Sequence, residues 1–104
     1  MARARDSTAK VDPELRRLLS DAKASTEPIE AVFTLRDAAK RDPADLEKTA
    51  RALIERVAAA TGAPPKDFNI FRNLGSLVVC ADRAFVQRMI EEKEIASAIA
   101  NRQP

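Results

Sequence analysis

Residues 69–81 read NIFRNLGSLVVCA. Two short alternating runs, 69–73 and 76–81, flank Leu74-Gly75. A glycine between two such runs marks a tight turn, because it takes positive φ without steric cost. The stretch therefore predicts a β-hairpin. Both of its faces carry apolar side chains: Phe68, Ile70, Leu77 and Val79 alternate with Phe71, Val78 and Cys80. A small open sheet needs one apolar face for its core, so the second face needs an explanation.

Upstream of the hairpin, Leu46, Ala50, Leu53, Ile54 and Val57 recur at helical spacing over residues 43–61. Asp42-Pro43 supplies an N-cap and a first-turn proline. Gly62 and Pro64-Pro65 supply the stop. Before this helix, IEAVFTLR at 29–36 alternates Ile29, Ala31, Phe33 and Leu35 with Glu30, Val32, Thr34 and Arg36, which predicts a strand. Residues 37–41 make a polar crossover. Further upstream, Asp12-Pro13 repeats the start signal, and Leu15, Leu18 and Leu19 share one face of a short helix over 14–23. Such a short helix must dock on something or stay marginal. Residues 1–10 read as a disordered terminus and 24–28 as a linker.

Downstream, Asp82 caps a helix over 83–93 whose inward face is Phe85, Val86, Met89 and Ile90. Glu91, Glu92, Lys93 and Glu94 close it with charge. Residues 95–102, IASAIANR, then alternate Ile95, Ser97 and Ile99 with Ala96, Ala98 and Ala100 as a last strand. The alanines leave helical continuation as the competing reading.

The order predicts an α+β protein: a ferredoxin-like βαββαβ sandwich with a short N-terminal helix, its four-stranded antiparallel sheet carrying two helices on one face. Residues 1–27 would be a flexible arm containing the short helix, and 28–104 the βαββαβ domain. The helix-facing set would include Ile29, Phe33, Leu77, Val79 and Ile99, with Phe68 and Ile70 inward and Phe71 outward. The far face would carry Val32, Thr34, Phe71, Val78 and Cys80. Either the leading helix covers that face through its leucines, or a partner does.

Composition removes most chemistry. In 104 residues there is no His and one Cys, so Ser-His-Asp and Cys-His arrangements, His- or Cys-cluster metal sites and an internal disulfide are excluded. Cys80 reads as a small packing residue in a strand, in a reducing compartment. The 18 basic and 16 acidic residues are interspersed rather than gathered into a basic stripe. Phe68 and Phe71 could stack bases, but their neighbours are Asn69, Asn73, Ser76 and Asp82, with Arg72 alone as a cation. Two isolated glycines cannot form a phosphate loop, and carboxylates sit where helix caps and i+4 pairs want them. The expectation is a non-enzyme with no cofactor or metal, no nucleic-acid partner and no membrane partner. With no apolar leader or spanning run, a cytoplasmic location is expected.

The segment VDPELRRLLSDAKASTEPIEAVFTLR resembles the opening of the propeptides of bacterial subtilisin-like serine proteases, where an Asp-Pro-x-Leu helix precedes an alternating strand. FVQRMIEEKEIASAIANRQ resembles their last helix running through a charged junction into a final strand, and the Gly75 hairpin sits where their central hairpin lies. The likeness of layout spans residues 11–103. It implies the βαββαβ fold and a role as inhibitor and folding chaperone of a subtilisin-like protease. It also implies that the face of Val32, Thr34, Phe71 and Val78 docks on the protease, while Ala100, Asn101, Arg102, Gln103 and Pro104 lie substrate-like in its cleft. Two departures stand out. No protease domain follows within the 104 residues, so the resemblance implies a free-standing inhibitor or separately supplied chaperone. The two apolar residues of the last strand, Ile95 and Ile99, are also more widely spaced than in that family. The alternative from a different class is a non-catalytic ferredoxin-like regulatory module that forms a homodimer through its sheet.

Overall fold

The structure, a computed structural model, describes residues 9–21 and 27–101. Its elements are β1 (Lys10–Val11), α1 (Pro13–Asp21), β2 (Ile29–Leu35), a 3-10 turn (Ala38–Lys40), α2 (Pro43–Thr61), β3 (Asp67–Phe71), β4 (Ser76–Ala81), α3 (Arg83–Glu91) and β5 (Ile95–Ala100). They make an α+β fold around a five-stranded sheet of order β1-β5-β2-β4-β3. β2 pairs antiparallel with β4 and β5, β3 pairs antiparallel with β4, and β1 runs parallel to β5.

Local signals account for the helices that were expected. The Asp42 side chain accepts from the Ala44 N–H, and Gly62 closes α2 in the left-handed region at φ 83°. Asp82 accepts from the Phe85 N–H at 2.9 Å. The stripe of Leu46, Ala50, Leu53, Ile54 and Val57 is buried, as are Phe85, Val86 and Met89 of α3. The alternating set Ile29, Ala31, Phe33 and Leu35 of β2 meets Leu77, Val79 and Ala81 of β4 in the same core.

Four expectations are corrected. The sheet has five strands, because Lys10-Val11 pairs along β5 and Ala9 is buried; this part of the terminus is ordered into the sheet. Three helices line the sheet, not two: Leu15 and Leu19 of α1 belong to the same buried cluster. Arg16, Leu19 and Ser20 share a groove with Arg83 and Gln87, so α1 lies beside α3 on the helical side, and no helix among the described residues covers the far face. β3 spans 67–71 rather than 69–73, and the turn occupies 72–75. Finally, Ile99 does not face the helices. Residues 95–100 do form a strand, but its register shifts opposite Thr34 and Leu35. Leu35 pairs with Ile95 while Thr34 pairs with Ser97, so Ala96 is the extra residue of a β-bulge. Side chains beyond a bulge change face, since a strand has a period of two. Ala98 therefore enters the core and Ile99 leaves it.

Two further features hold the layers. Gly75 has φ 67°, and a Cβ built there would lie 2.2 Å from the Ala38 Cβ. The hairpin tip is thus wedged against the turn that follows β2, and the Gly75 carbonyl accepts from the Leu35 N–H. On the opposite side, the Arg56 guanidinium of α2 binds Glu92 (2.7 Å) and Glu94 (2.9 Å), and Arg88 adds a second bond to Glu92. Burial alone would raise the Glu92 pKa, but hydrogen bonds from Arg56 and Arg88 outweigh it and hold the carboxyl below its ordinary value.

Candidate docking face

Strand pairing arranges the uncovered face in three rows that cross the strands. One row reads Lys10, Ser97, Thr34, Ser76, Phe71. The middle row reads Ile99, Val32, Val78, Asn69. The third reads Asn101, Glu30, Cys80, Asp67, with the Asn101 N–H donating to the Glu30 carbonyl at 3.0 Å. The face is thus an apolar bar of three β-branched side chains, bordered by hydroxyls on one side and by an amide and two carboxylates on the other. Phe71 occupies a corner at 40% exposure, and Ile99 is 48% exposed. Val32, Val78 and Cys80 are half-buried by their neighbours on the same face.

The four residues expected on this face, Val32, Thr34, Phe71 and Val78, are brought together on it. Phe68 and Ile70 point the other way, in register with Val79 and Leu77. Phe68 lies over a groove with Ile54, Ala58, Pro64 and Pro65 at the rim of the helical layer. Of the expected tail residues, Ala100 and Asn101 are tied into the sheet. The Ala100 N–H donates to the Asp12 carboxylate (3.3 Å), and the Asn101 side-chain amide donates to the Glu30 carboxylate (3.0 Å). Arg102, Gln103 and Pro104 lie outside the described residues.

Sequence reasoning missed Ile99, which supplies one third of the apolar bar. Alternation gave no signal of this, since Ile95 and Ile99 are an even number of residues apart and an unbroken strand puts both on one face. It also missed Leu74, 71% exposed at the hairpin tip beside Phe71.

A hollow of about 250 Å³ lies on this face among Glu30, Asn69, Phe71, Val78, Cys80 and Asn101. It is below the roughly 300–1,000 Å³ usual for small-molecule pockets. Among the described residues no group of three or more His, Cys, Asp or Glu side chains could hold a metal ion, and no helix is long and apolar enough to cross a membrane. No family model, curated protein sequence or solved structure matches this chain.

The sheet edges are poorer docking elements than the face. β1 offers two residues. On β3, the Phe68 N–H is taken up by the Asp67 carboxylate at 2.9 Å. Edge groups occupied in this way, and very short edge strands, discourage the addition of a further strand.

Proposed function

We propose that this chain is a protein-docking module that acts as a propeptide-like inhibitor and folding chaperone of a subtilisin-like serine protease. One observation carries the proposal. Among the described residues, all three helices lie on one side of the sheet and none covers the bar of Ile99, Val32 and Val78 or the Phe71 ring on the other. In this reading β2 to β5, with α2 and α3, are a ferredoxin-like unit to which β1 and α1 are added. The strand order β5-β2-β4-β3 supports it.

The size of the face favours a partner that also grips the tail. Strand spacing of about 4.8 Å and rise of about 3.3 Å give these three rows, one across five strands and two across four, an area on the order of 400 Å². A standard stable interface takes about 800 Å² from each partner. A sheet-to-sheet homodimer has only the face. A protease that accepts the chain beyond Asn101 as an added strand gains the remainder from backbone hydrogen bonds and side-chain pockets. Asn101, anchored at Glu30 on the border of the face, is where that segment departs.

The test is inhibition of a panel of subtilisin-like proteases by the purified chain. Stoichiometric inhibition is expected, lost in Phe71→Asp and weakened at least about tenfold by deletion of residues 102–104, with the fold unchanged. If no protease is inhibited and the chain sediments as a dimer that Phe71→Asp dissociates, sheet-to-sheet self-association replaces this reading.

A further inference from the structure

Residues 95–100 carry two competing registers. Without a bulge, Ile95, Ser97 and Ile99 would point inward, Ser97 beside Phe33 and Ile99 beside the small Ala31. With the bulge at Ala96, Ile95, Ala98 and Ala100 point inward, and Ser97, Ile99 and Asn101 point out. The structure has the second arrangement. Each has a physical merit: the first buries another isoleucine, and the second keeps the Ser97 hydroxyl out of an apolar core.

The choice is made where β5 begins, and one residue is bonded there through both its side chain and its backbone. The Arg36 guanidinium donates from Nε to the Lys93 carbonyl (3.0 Å) and from Nη2 to the Ile95 carbonyl (2.9 Å). Its own backbone N–H donates to the Glu94 carbonyl at 2.8 Å. These bonds hold the chain at 93–95, immediately before the extra residue. A planar guanidinium can span two carbonyls separated by one residue, which neither a lysine nor a glutamine can do in the same geometry. At the far end, Asp12 accepts from the Ala100 N–H and Glu30 from the Asn101 side-chain amide, in the register found beyond the bulge.

We infer that Arg36 is the positioning residue that latches the β5 bulge and so decides that Ile99, rather than Ala98 or Ala100, belongs to the exposed face. The register is a property of the free chain. Its consequence for a partner rests on the docking function proposed above.

The experiment is nuclear magnetic resonance of the full chain, reading cross-strand backbone contacts from Val32. With Arg36 present, the contact is to Ile99. In Arg36→Ala it shifts by one residue to Ala98. Arg36→Lys, which keeps the charge without the fork, gives the same shift or a mixture of the two registers, and it serves if the alanine variant does not fold. Retention of the single Val32–Ile99 contact in either variant overturns the inference. Because these readouts need no protease, failure of the docking function leaves them intact. If both hold, the shifted variant also loses at least about tenfold in inhibition.

Discussion

A methyl group on Gly75 would sit 2.2 Å from the Cβ of Ala38, closer than two carbon atoms can approach. The hairpin tip and the turn after β2 are therefore packed backbone to side chain. The residue is also held at positive φ, where an L side chain is strained. Gly75→Ala should cost roughly 3–5 kcal/mol, the sum of overpacking and backbone strain. Gly62 shares the positive φ but has nothing within 4 Å of its built Cβ. Gly62→Ala should cost only about 1 kcal/mol. Urea unfolding of the two variants separates the contributions, and equal losses would show that the Ala38 contact is not what constrains position 75.

The bulge gives the isoleucines of β5 opposite fates. Ile95 is fully buried and Ile99 nearly half exposed. Ile95→Ala should lose about 2–5 kcal/mol through transfer and cavity terms. Ile99→Ala should lose less than about 1 kcal/mol, as for an ordinary surface change. Chemical denaturation of the pair tests the register without spectroscopy, and a large loss at position 99 would place that side chain in the core.

On the hairpin, the same distinction separates Phe71 from Phe33 of β2. Phe33 is fully buried and its truncation to alanine should cost about 3–5 kcal/mol. Phe71→Asp should change stability by no more than about 1 kcal/mol. Its effect should appear instead as lost inhibition in the protease assay. Thermal melts run beside that assay keep a folding defect from being mistaken for a docking defect.

Glu92 supplies a pH dependence of known sign. Its carboxyl is held below the ordinary glutamate value in the folded chain, by Arg56 and Arg88 acting against burial. A depressed folded-state pKa adds stability that is complete above the unfolded value and disappears as pH falls through the folded one. Glu92→Gln should therefore cost about 1 kcal/mol at neutral pH. The gap between variant and parent should close below the ordinary carboxylate range. Unfolding midpoints measured from pH 7 down to pH 3 check this, and a gap that widened on acidification would reverse the assignment.

Where the sequence was readable, short-range chemistry was the reason. Asp42, Asp82, Gly62 and Gly75 each do locally what their residue types require, so α2, α3 and the hairpin lie close to where they were expected. Alternation placed Val32, Phe71 and Val78 on one face and Phe68 and Ile70 on the other. Illegible features depended on distant partners. β1 is two residues long, and only its pairing with Ser97 and Ala98 makes it a strand. Asp12 sits at the start of α1 as expected, yet its carboxylate reaches across to Ala100. Ile99 was misplaced because alternation carries no information about an inserted residue. The bonds from Arg36 that accompany the bulge come from 57 and 59 positions away in the chain.

The bond between Asp67 and the Phe68 N–H on the β3 edge has a consequence for how the protein behaves in quantity. A chain that exposes Phe71, Leu74 and Ile99 would invite polymerisation if its outer strand could also recruit a neighbour, because each added strand would present a fresh edge. With the Phe68 N–H satisfied by Asp67 and the other edge only two residues long, growth along the sheet is discouraged. The bar of Ile99, Val32 and Val78 instead offers its apolar surface perpendicular to the sheet, where occupation by one molecule uses it up. A partner of the kind proposed would then bind such a surface at a ratio of one to one.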